Sequence, residues 1–346
     1  MKKHFTLLSL ALTLLIIACG KDDTDNINNN KFDKVYVLSN EIIAEESTLS
    51  LWNQRKTTIV SNGNTIGDKV LVANNDTYIL GSKYNPTTKQ KESRIWKNGK
   101  ETAIPKDLYI FDFLVINNDI YIVGKEVSNT LGFKSKLVLF KNNQPTYLTD
   151  GNSELSSSFR VFIENSNVYV LGALNEGNKN LLKLWKNNEP HNITDGTKNI
   201  LPIDFFVKNN TTYILASEYN GASYTPKLWI NDESKKVVSN EDFAPIKVFV
   251  ENETLYIAGH SKSNVVSKSS IGIPGPQVLV NGKVISIGNN KDAGITSLFV
   301  KNSKIYVSLI EPNSNKVMVS KLWADGEVID ISNGTTHTFS RSVFVE

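Results

Sequence analysis

The sequence predicts an all-β protein: a seven-bladed β-propeller with four antiparallel strands per blade, its ring closed by the C-terminal strand at 342–346 pairing with the N-terminal blade. Three observations predict it. A Tyr-centred apolar run recurs seven times. A Leu-Trp-Lys-Asn landmark recurs seven times between those runs. The chain also ends on half of a hairpin whose other half stands near its beginning.

The tyrosines of the first landmark are Tyr36, Tyr78, Tyr121, Tyr169, Tyr213, Tyr256 and Tyr306, spaced 42, 43, 48, 44, 43 and 50 residues apart. The second landmark reads LWNQ at 51–54, IWKN at 95–98, LFKN at 139–142, LWKN at 184–187, LWIN at 228–231, LVNG at 279–282 and LWAD at 322–325. All five tryptophans occupy one position of it, and Phe140 and Val280 take that position in the other two repeats. A period of roughly 40–50 residues is the size of one four-stranded blade.

In the fourth unit the strands are expected at 160–164 (A), 167–172 (B), 182–186 (C) and 190–194 (D). The A–B connections carry Asn, as in Asn74-Asn75, Asn117-Asn118 and Asn209-Asn210; the C–D connections read Asn98-Gly99, Asn142-Asn143, Asn187-Asn188, Asn281-Gly282 and Asp325-Gly326. Asn and Gly tolerate positive φ, so these pairs are tight-hairpin signatures. The apolar runs between them are short and rich in Val, Ile, Phe and Tyr, and none past the N-terminus has a helical period. Leucine-rich and ankyrin repeats need the helical patterns missing here, and a sandwich has no reason to repeat seven times.

The segment Ser342-Val343-Phe344-Val345-Glu346 aligns on Arg160-Val161-Phe162-Ile163-Glu164, after which a turn and strand B should follow. Residues 32–36, FDKVY, supply that continuation, with Tyr36 in the place of Tyr169. The last five residues are therefore expected to be strand A of the first blade. The expected blades are 32–68 with 342–346, then 69–110, 111–158, 159–202, 203–245, 246–295 and 296–341. Closure of this kind removes exposed sheet edges.

Strand A carries two apolar columns, Leu71, Leu114, Phe162, Phe206, Phe249, Phe299 and Phe344 on one face and Val72, Val115, Ile163, Val207, Val250, Val300 and Val345 on the other. Both are expected to pack between blades, as are the Tyr and Trp columns. Asp150-Gly151 and Asp195-Gly196 lack the dense acidic loop that calcium needs and read as turns.

The N-terminus reads as an address. Residues 1–18 have a basic start and an apolar stretch from Phe5 to Ala18, too short to span a bilayer and of the right length for a signal peptide. Ile16-Ile17-Ala18-Cys19 resembles the bacterial lipobox, which implies that Cys19 is lipidated and that acyl chains such as palmitate hold the chain to a membrane. Gly20-Lys21-Asp22-Asp23 resembles the export signal of Bacteroidota surface lipoproteins. Lys21, Asp22 and Asp23 then imply an outer-membrane lipoprotein facing outward. Residues 19–31 form a polar tether and 32–346 the propeller. That domain resembles propeller-like lipoproteins of Bacteroidota with repeated LWKNG and LTDG units, a resemblance that implies the fold and no reaction.

Composition narrows the function. The formal net charge is +3, or +1 without Lys2 and Lys3, which excludes the basic surface that nucleic acid requires. With Cys19 as its single cysteine, the chain forms no intramolecular disulfide and no cysteine zinc site. No cofactor or metal motif is present, the four histidines are scattered, and no HExxH, GxSxG or P-loop occurs. A monomer without a cofactor is expected.

Two places remain for a ligand. The residues starting strand A are Lys69, Asp112, Arg160, Asp204, Lys247, Ser297 and Ser342; the first five alternate in sign and should ring one mouth of the channel, as inter-blade ion pairs or as a polar site for a small ligand. The B–C stretches 82–93, 125–136, 217–226 and 260–276 differ in length and sequence and should share a face with the D–A loops. Tyr84, Phe133, Tyr219 and Tyr224 are the exposed aromatic candidates there. The expected function is a surface binding module for a protein or glycan, its variable face turned away from the membrane. The alternative is a glycan hydrolase or lyase using Asp112 and Asp204.

Overall fold

The computed structural model describes residues 33–346, apart from 106, 127–134, 157, 178, 238–242, 262–265, 268–269, 272–274 and 289. Cys19, Lys21, Asp22, Asp23 and Phe133 lie outside the described residues. The chain divides into Met1–Asp33 and Lys34–Glu346, and the second unit is the propeller.

Seven sheets of antiparallel strands follow one another round a ring. Blade 1 joins Val35–Ile43 (B), Glu46–Asn53 (C) and Lys56–Ser61 (D) to Thr338–Val345 (A). The other inner A strands are Thr65–Ala73, Leu108–Ile116, Arg160–Glu164, Ile200–Lys208, Phe243–Glu251 and Gly294–Lys301, and each heads a B–C–D meander. In blade 4 a further two-residue strand, Glu154–Leu155, pairs with strand B ahead of the A strand.

The closure follows the expected register. Tyr36 stands opposite Phe344, as Tyr78 does opposite Leu71, Tyr121 opposite Leu114 and Tyr169 opposite Phe162. Pairing runs from Val35–Val345 to Glu41–Thr338, so the closing strand is longer than the expected 342–346. Lys34 and Tyr36 both bond the Glu346 carboxylate, at 2.7 and 3.0 Å.

Turn chemistry explains the local geometry. Each C–D connection is two residues with positive φ at both, including Asn98-Gly99, Asn187-Asn188 and Asn231-Asp232. That is the backbone of a type I′ turn, whose twist matches a hairpin's. The Asn of the landmark does a second job. Its Oδ1 accepts the N–H of the second residue of strand B, as in Thr77 N to Asn98 and Val168 N to Asn187, both 2.9 Å. The Lys before it lies over the Tyr column, with Lys97 5.3 Å from the Tyr78 ring centre and Lys186 5.5 Å from that of Tyr169. The landmark is therefore scaffold throughout: Trp52, Trp96, Trp185, Trp229 and Trp323 are all buried. Burying each such side chain contributes about 1.5–3 kcal/mol.

The Asp-Gly pairs are turns. Asp150 Oδ1 accepts Asn152 N, and Asp195 Oδ1 accepts Thr197 N, both at 2.9 Å. The threonines before them cap strand C, Thr149 taking Leu137 N and Thr194 taking Leu182 N.

One feature recurs that the strand pattern did not predict. The A strands carry a β-bulge one residue before the ring position, skipping Asp68, Phe111, Ile203, Ile246, Thr296 and Arg341. The bulge bends strand A toward strand B, where the backbones nearly touch. A Cβ on Gly81 would lie 2.3 Å from Ile66 O, and one on Gly124 2.6 Å from Tyr109 O. Glycine stands three residues after the Tyr in three of the six bulged blades, as Gly81, Gly124 and Gly259, while Ser39, Ala216 and Leu309 take that place in the other three.

Candidate functional site: the axial cavity and the loop face

The A strands surround a cavity of about 380 Å³ on the ring axis. Two layers of side chains line it. The first is the Phe column: Leu71 lies in the inter-blade core and Leu114, Phe162, Phe206, Phe249 and Phe344 pack against it, as expected, but the column also has a second side that the sequence did not place. Leu71, Leu114, Phe162, Phe206, Phe249, Phe299 and Phe344 all border the cavity. Phe162, Phe206, Phe249, Phe299 and Phe344 form a continuous belt with ring centres 4.7, 4.7, 5.2 and 5.0 Å apart, tilted against one another. These five are only half-buried. An edge strand that lines a channel turns its column inward. A period of two cannot tell inward from sideways, because both are apolar.

The second layer is the ring of strand-A starts. Lys69 Nζ lies 2.7 Å from Asp112 Oδ1 and Lys247 Nζ 3.3 Å from Asp204 Oδ1, so four of the five alternating charges form inter-blade pairs. Each aspartate does more. Asp112 Oδ2 accepts Val161 N from the next blade, and Asp204 Oδ2 accepts Val248 N, both at 3.1 Å. Ser342 accepts Val70 N in the same way at 3.2 Å. The inner strand is the free edge of its sheet, so its inward N–H groups lack ladder partners. An oxygen-bearing side chain on the preceding blade satisfies them and straps blade to blade.

Arg160 has a different role: its guanidinium donates to Phe159 O at 3.1 Å, and no carboxylate pairs with it among the described residues. The bulges add Asp68, Phe111 and Arg341 to the lining.

Electrostatics follow from this crowding. Burial alone would raise Asp112, but the charges of Lys69 and Arg160 and the bonds from Lys69 and Val161 N hold its carboxyl below the ordinary range. Burial pushes Lys69 down, with Lys247 and Arg160 adding repulsion against the pull of Asp112. Asp68 keeps contact with water in the cavity yet is enclosed by protein, and desolvation raises it against the pull of Arg341 and Arg160.

These contacts leave little for catalysis. A general acid must hold a proton near neutral pH. Asp112 is held ionised, and both aspartates spend their oxygens on a lysine and a backbone N–H of the neighbouring blade.

The loop face is the second candidate. Tyr84 is the penultimate residue of strand Asp76–Asn85, while Tyr219 and Tyr224 end and begin strands Thr211–Tyr219 and Tyr224–Ile230. The strands reach further out than the expected loops. Tyr219 pairs with Tyr224 across the hairpin, ring centres 5.2 Å apart, and both stay exposed at 39 and 44%. Asn199 Nδ2 donates to Tyr224 OH at 3.0 Å, and Tyr219 OH donates to Gly221 O at 2.9 Å. Tyr84 is equally exposed but sits three blades away, so the three tyrosines do not form one surface.

No family model matches the chain, and no curated protein matches it. Solved structures do. The β-propeller domain of the Trilobed protease from Pyrococcus furiosus is 12% identical with a TM-score of 0.57, covering 88% of this chain and 94% of that one. Pyrococcus horikoshii acylaminoacyl peptidase is 13% identical with a TM-score of 0.54, over 87% of this chain and 50% of that one. A puromycin-hydrolyzing peptidase of Mycobacterium tuberculosis is 9% identical with a TM-score of 0.54, over 85% and 52%. The chain spans about half the length of these two peptidases. At such identities the likeness shows the propeller fold alone. The Pyrococcus furiosus domain is described as having an open velcro topology, whereas here the first and last strands pair over most of their length.

Proposed function

We propose that the chain is a lipid-anchored binding module of the outer membrane, displayed at the cell surface as a monomer, that takes a protein or glycan ligand on its B–C and D–A loop face. Cys19 is the lipidated residue, Lys21-Asp22-Asp23 the export signal, and the membrane the partner of the N-terminus. The lipobox and the acidic tripeptide support the anchor. The near-balanced charge argues against nucleic acid as the ligand.

The observation that carries the binding role is the asymmetry of the faces. A–B and C–D connections are two-residue turns of nearly one chemistry, while B–C connections differ in length from blade to blade and present the Tyr219–Tyr224 pair to solvent. Variation on a uniform scaffold is where binding surfaces arise. An exposed pair of tyrosines, held in place by the amides of Asn199 and Asn220, suits a sugar: the rings cover its apolar face.

The test is a glycan array probed with the purified chain and with its Tyr219→Ala, Tyr224→Ala double variant. Retention of a defined glycan that the double variant loses is expected. Equal retention by both proteins removes the site, and retention of a defined protein but no glycan reassigns the ligand. Labelling cells with a palmitate analogue should mark the wild type and not Cys19→Ala; equal labelling refutes the anchor.

A further inference from the structure

We propose that the axial cavity binds a small organic carboxylate with an apolar body, its carboxylate held by Arg160 and Arg341 and its body seated on the phenylalanine belt. This site is separate from the loop face and rests on different observations.

Charge bookkeeping singles out the arginines. The cavity is lined by four cations, Lys69, Arg160, Lys247 and Arg341, and three carboxylates, Asp68, Asp112 and Asp204. Asp112 and Asp204 are neutralised by Lys69 and Lys247 and also take N–H bonds from the next blade. Two guanidinium groups then face one carboxylate. Arg160 uses one donor on Phe159 O, and no ion pair within bonding distance engages Arg341 among the described residues. A guanidinium carries five donors in a planar fork that matches a carboxylate with two parallel bonds. Most of that capacity is unspent at this point on the axis.

The belt supplies the second half. Five phenylalanines in mutual contact would ordinarily be buried, yet these are left half-open on the cavity. Apolar surface facing water in this way is stabilised by any apolar group that displaces the water. A bare inorganic anion would use only the arginines, and a neutral hydrocarbon only the belt. One molecule with both parts uses the whole cavity, whose volume falls in the range that accepts a small metabolite-sized ligand. The bulge makes the juxtaposition: it brings Asp68 and Arg341, two positions that strict alternation would turn aside, to the axis beside the ring residues.

The experiment is calorimetric titration of the purified full-length chain with three probes: phenylacetate, phenylacetamide and inorganic phosphate. Phenylacetate is expected to bind saturably at one site. Phenylacetamide lacks the charge and phosphate lacks the apolar body, so each should bind at least about tenfold more weakly, the scale of one lost charge-assisted bond or one buried group. Arg341→Gln and Arg160→Gln should each weaken phenylacetate by about tenfold on the same grounds. Both side chains are water-accessible, and an unchanged melting temperature separates lost binding from lost folding. Asp68→Asn should tighten binding by removing the carboxylate that competes for the arginines. Tyr219→Ala with Tyr224→Ala should leave it unchanged, which keeps this test distinct from that of the loop face. Absence of saturable phenylacetate binding overturns the proposal. So does equal affinity for phenylacetamide, or affinity that both arginine variants retain.

Discussion

The two faces of the disc are built by different rules. On the A–B and C–D face the turns are two residues long, both residues have positive φ, and an Asn caps the neighbouring strand in blade after blade. Adjacent blades are also clamped there: Glu164 takes the N–H groups of Asn209 and Asn210, and Glu251 those of Asn302 and Ser303. On the B–C and D–A face the connections differ, and tyrosines stand exposed on strand ends. The difference teaches that repetition marks what the fold needs, and departure from it marks where sequence is free to serve something else. Substitutions on the repeated parts should cost stability, and substitutions on the loop face should not.

The largest effect is expected from the closure. Ending the chain after Arg341 removes Val343 and Val345 from the core and Phe344 from the belt. At about 1.5–3 kcal/mol for each buried apolar side chain, the loss rivals the whole stability of an ordinary domain. Cooperative thermal melting, followed by far-ultraviolet circular dichroism, should vanish or fall steeply; an unchanged midpoint would show that closure is dispensable.

Next comes the axial strap. Asp112→Ala strands Lys69 and the Val161 N–H, and because Lys69 keeps some water the cost should be about 2–4 kcal/mol in urea unfolding. The sign of the pH dependence follows from the depressed carboxyl. Its stabilisation is present above the ordinary value of 3.8 and is lost as pH falls through the lower folded value. Asp112→Asn should therefore flatten the acid limb below about pH 4. An identical acid limb in both proteins would remove the strap.

A smaller loss is expected on the constant face. Asn187→Ala forfeits the acceptor for Val168 N and places Ala at φ 51°, costing about 1–2 kcal/mol. The smallest belongs to the loop face: Tyr219→Ala should change stability by less than about 0.5 kcal/mol, since Tyr219 is exposed and its ring contact, Tyr224, lies in the same hairpin. If that variant costs as much as Asn187→Ala, the contrast between the faces collapses.

Some of this was legible in the residues. The I′ turns announce themselves because Asn and Gly tolerate a backbone that other residues resist, so the strand boundaries beside them are readable to within a residue. The closure was legible because Tyr36 and Phe344 complete a column found six more times. The strand-A starts were placed on the channel, and the pairs Lys69–Asp112 and Asp204–Lys247 answer to the alternation of sign. The belt's packing between blades was legible but its cavity-facing side was not, and Arg341 and Asp68 were missed. The bulge residues Asp68, Phe111, Ile203, Ile246, Thr296 and Arg341 share no chemistry, so nothing in their own column announces them. The glycines opposite, Gly81, Gly124 and Gly259, mark only three of the six bulges, and Ser39 stands opposite the one at Arg341.

By itself, then, the sequence determined the blade count, the register and the closing strand, because these depend on local φ preferences and on columns that repeat. Only the tertiary structure decided which apolar column turns to the axis, which carboxylates are spent on the next blade, and which arginines are left over. Those outcomes depend on groups some forty residues apart meeting across a bulge. A one-residue shift of that kind redirects a side chain without changing the residues that flank it.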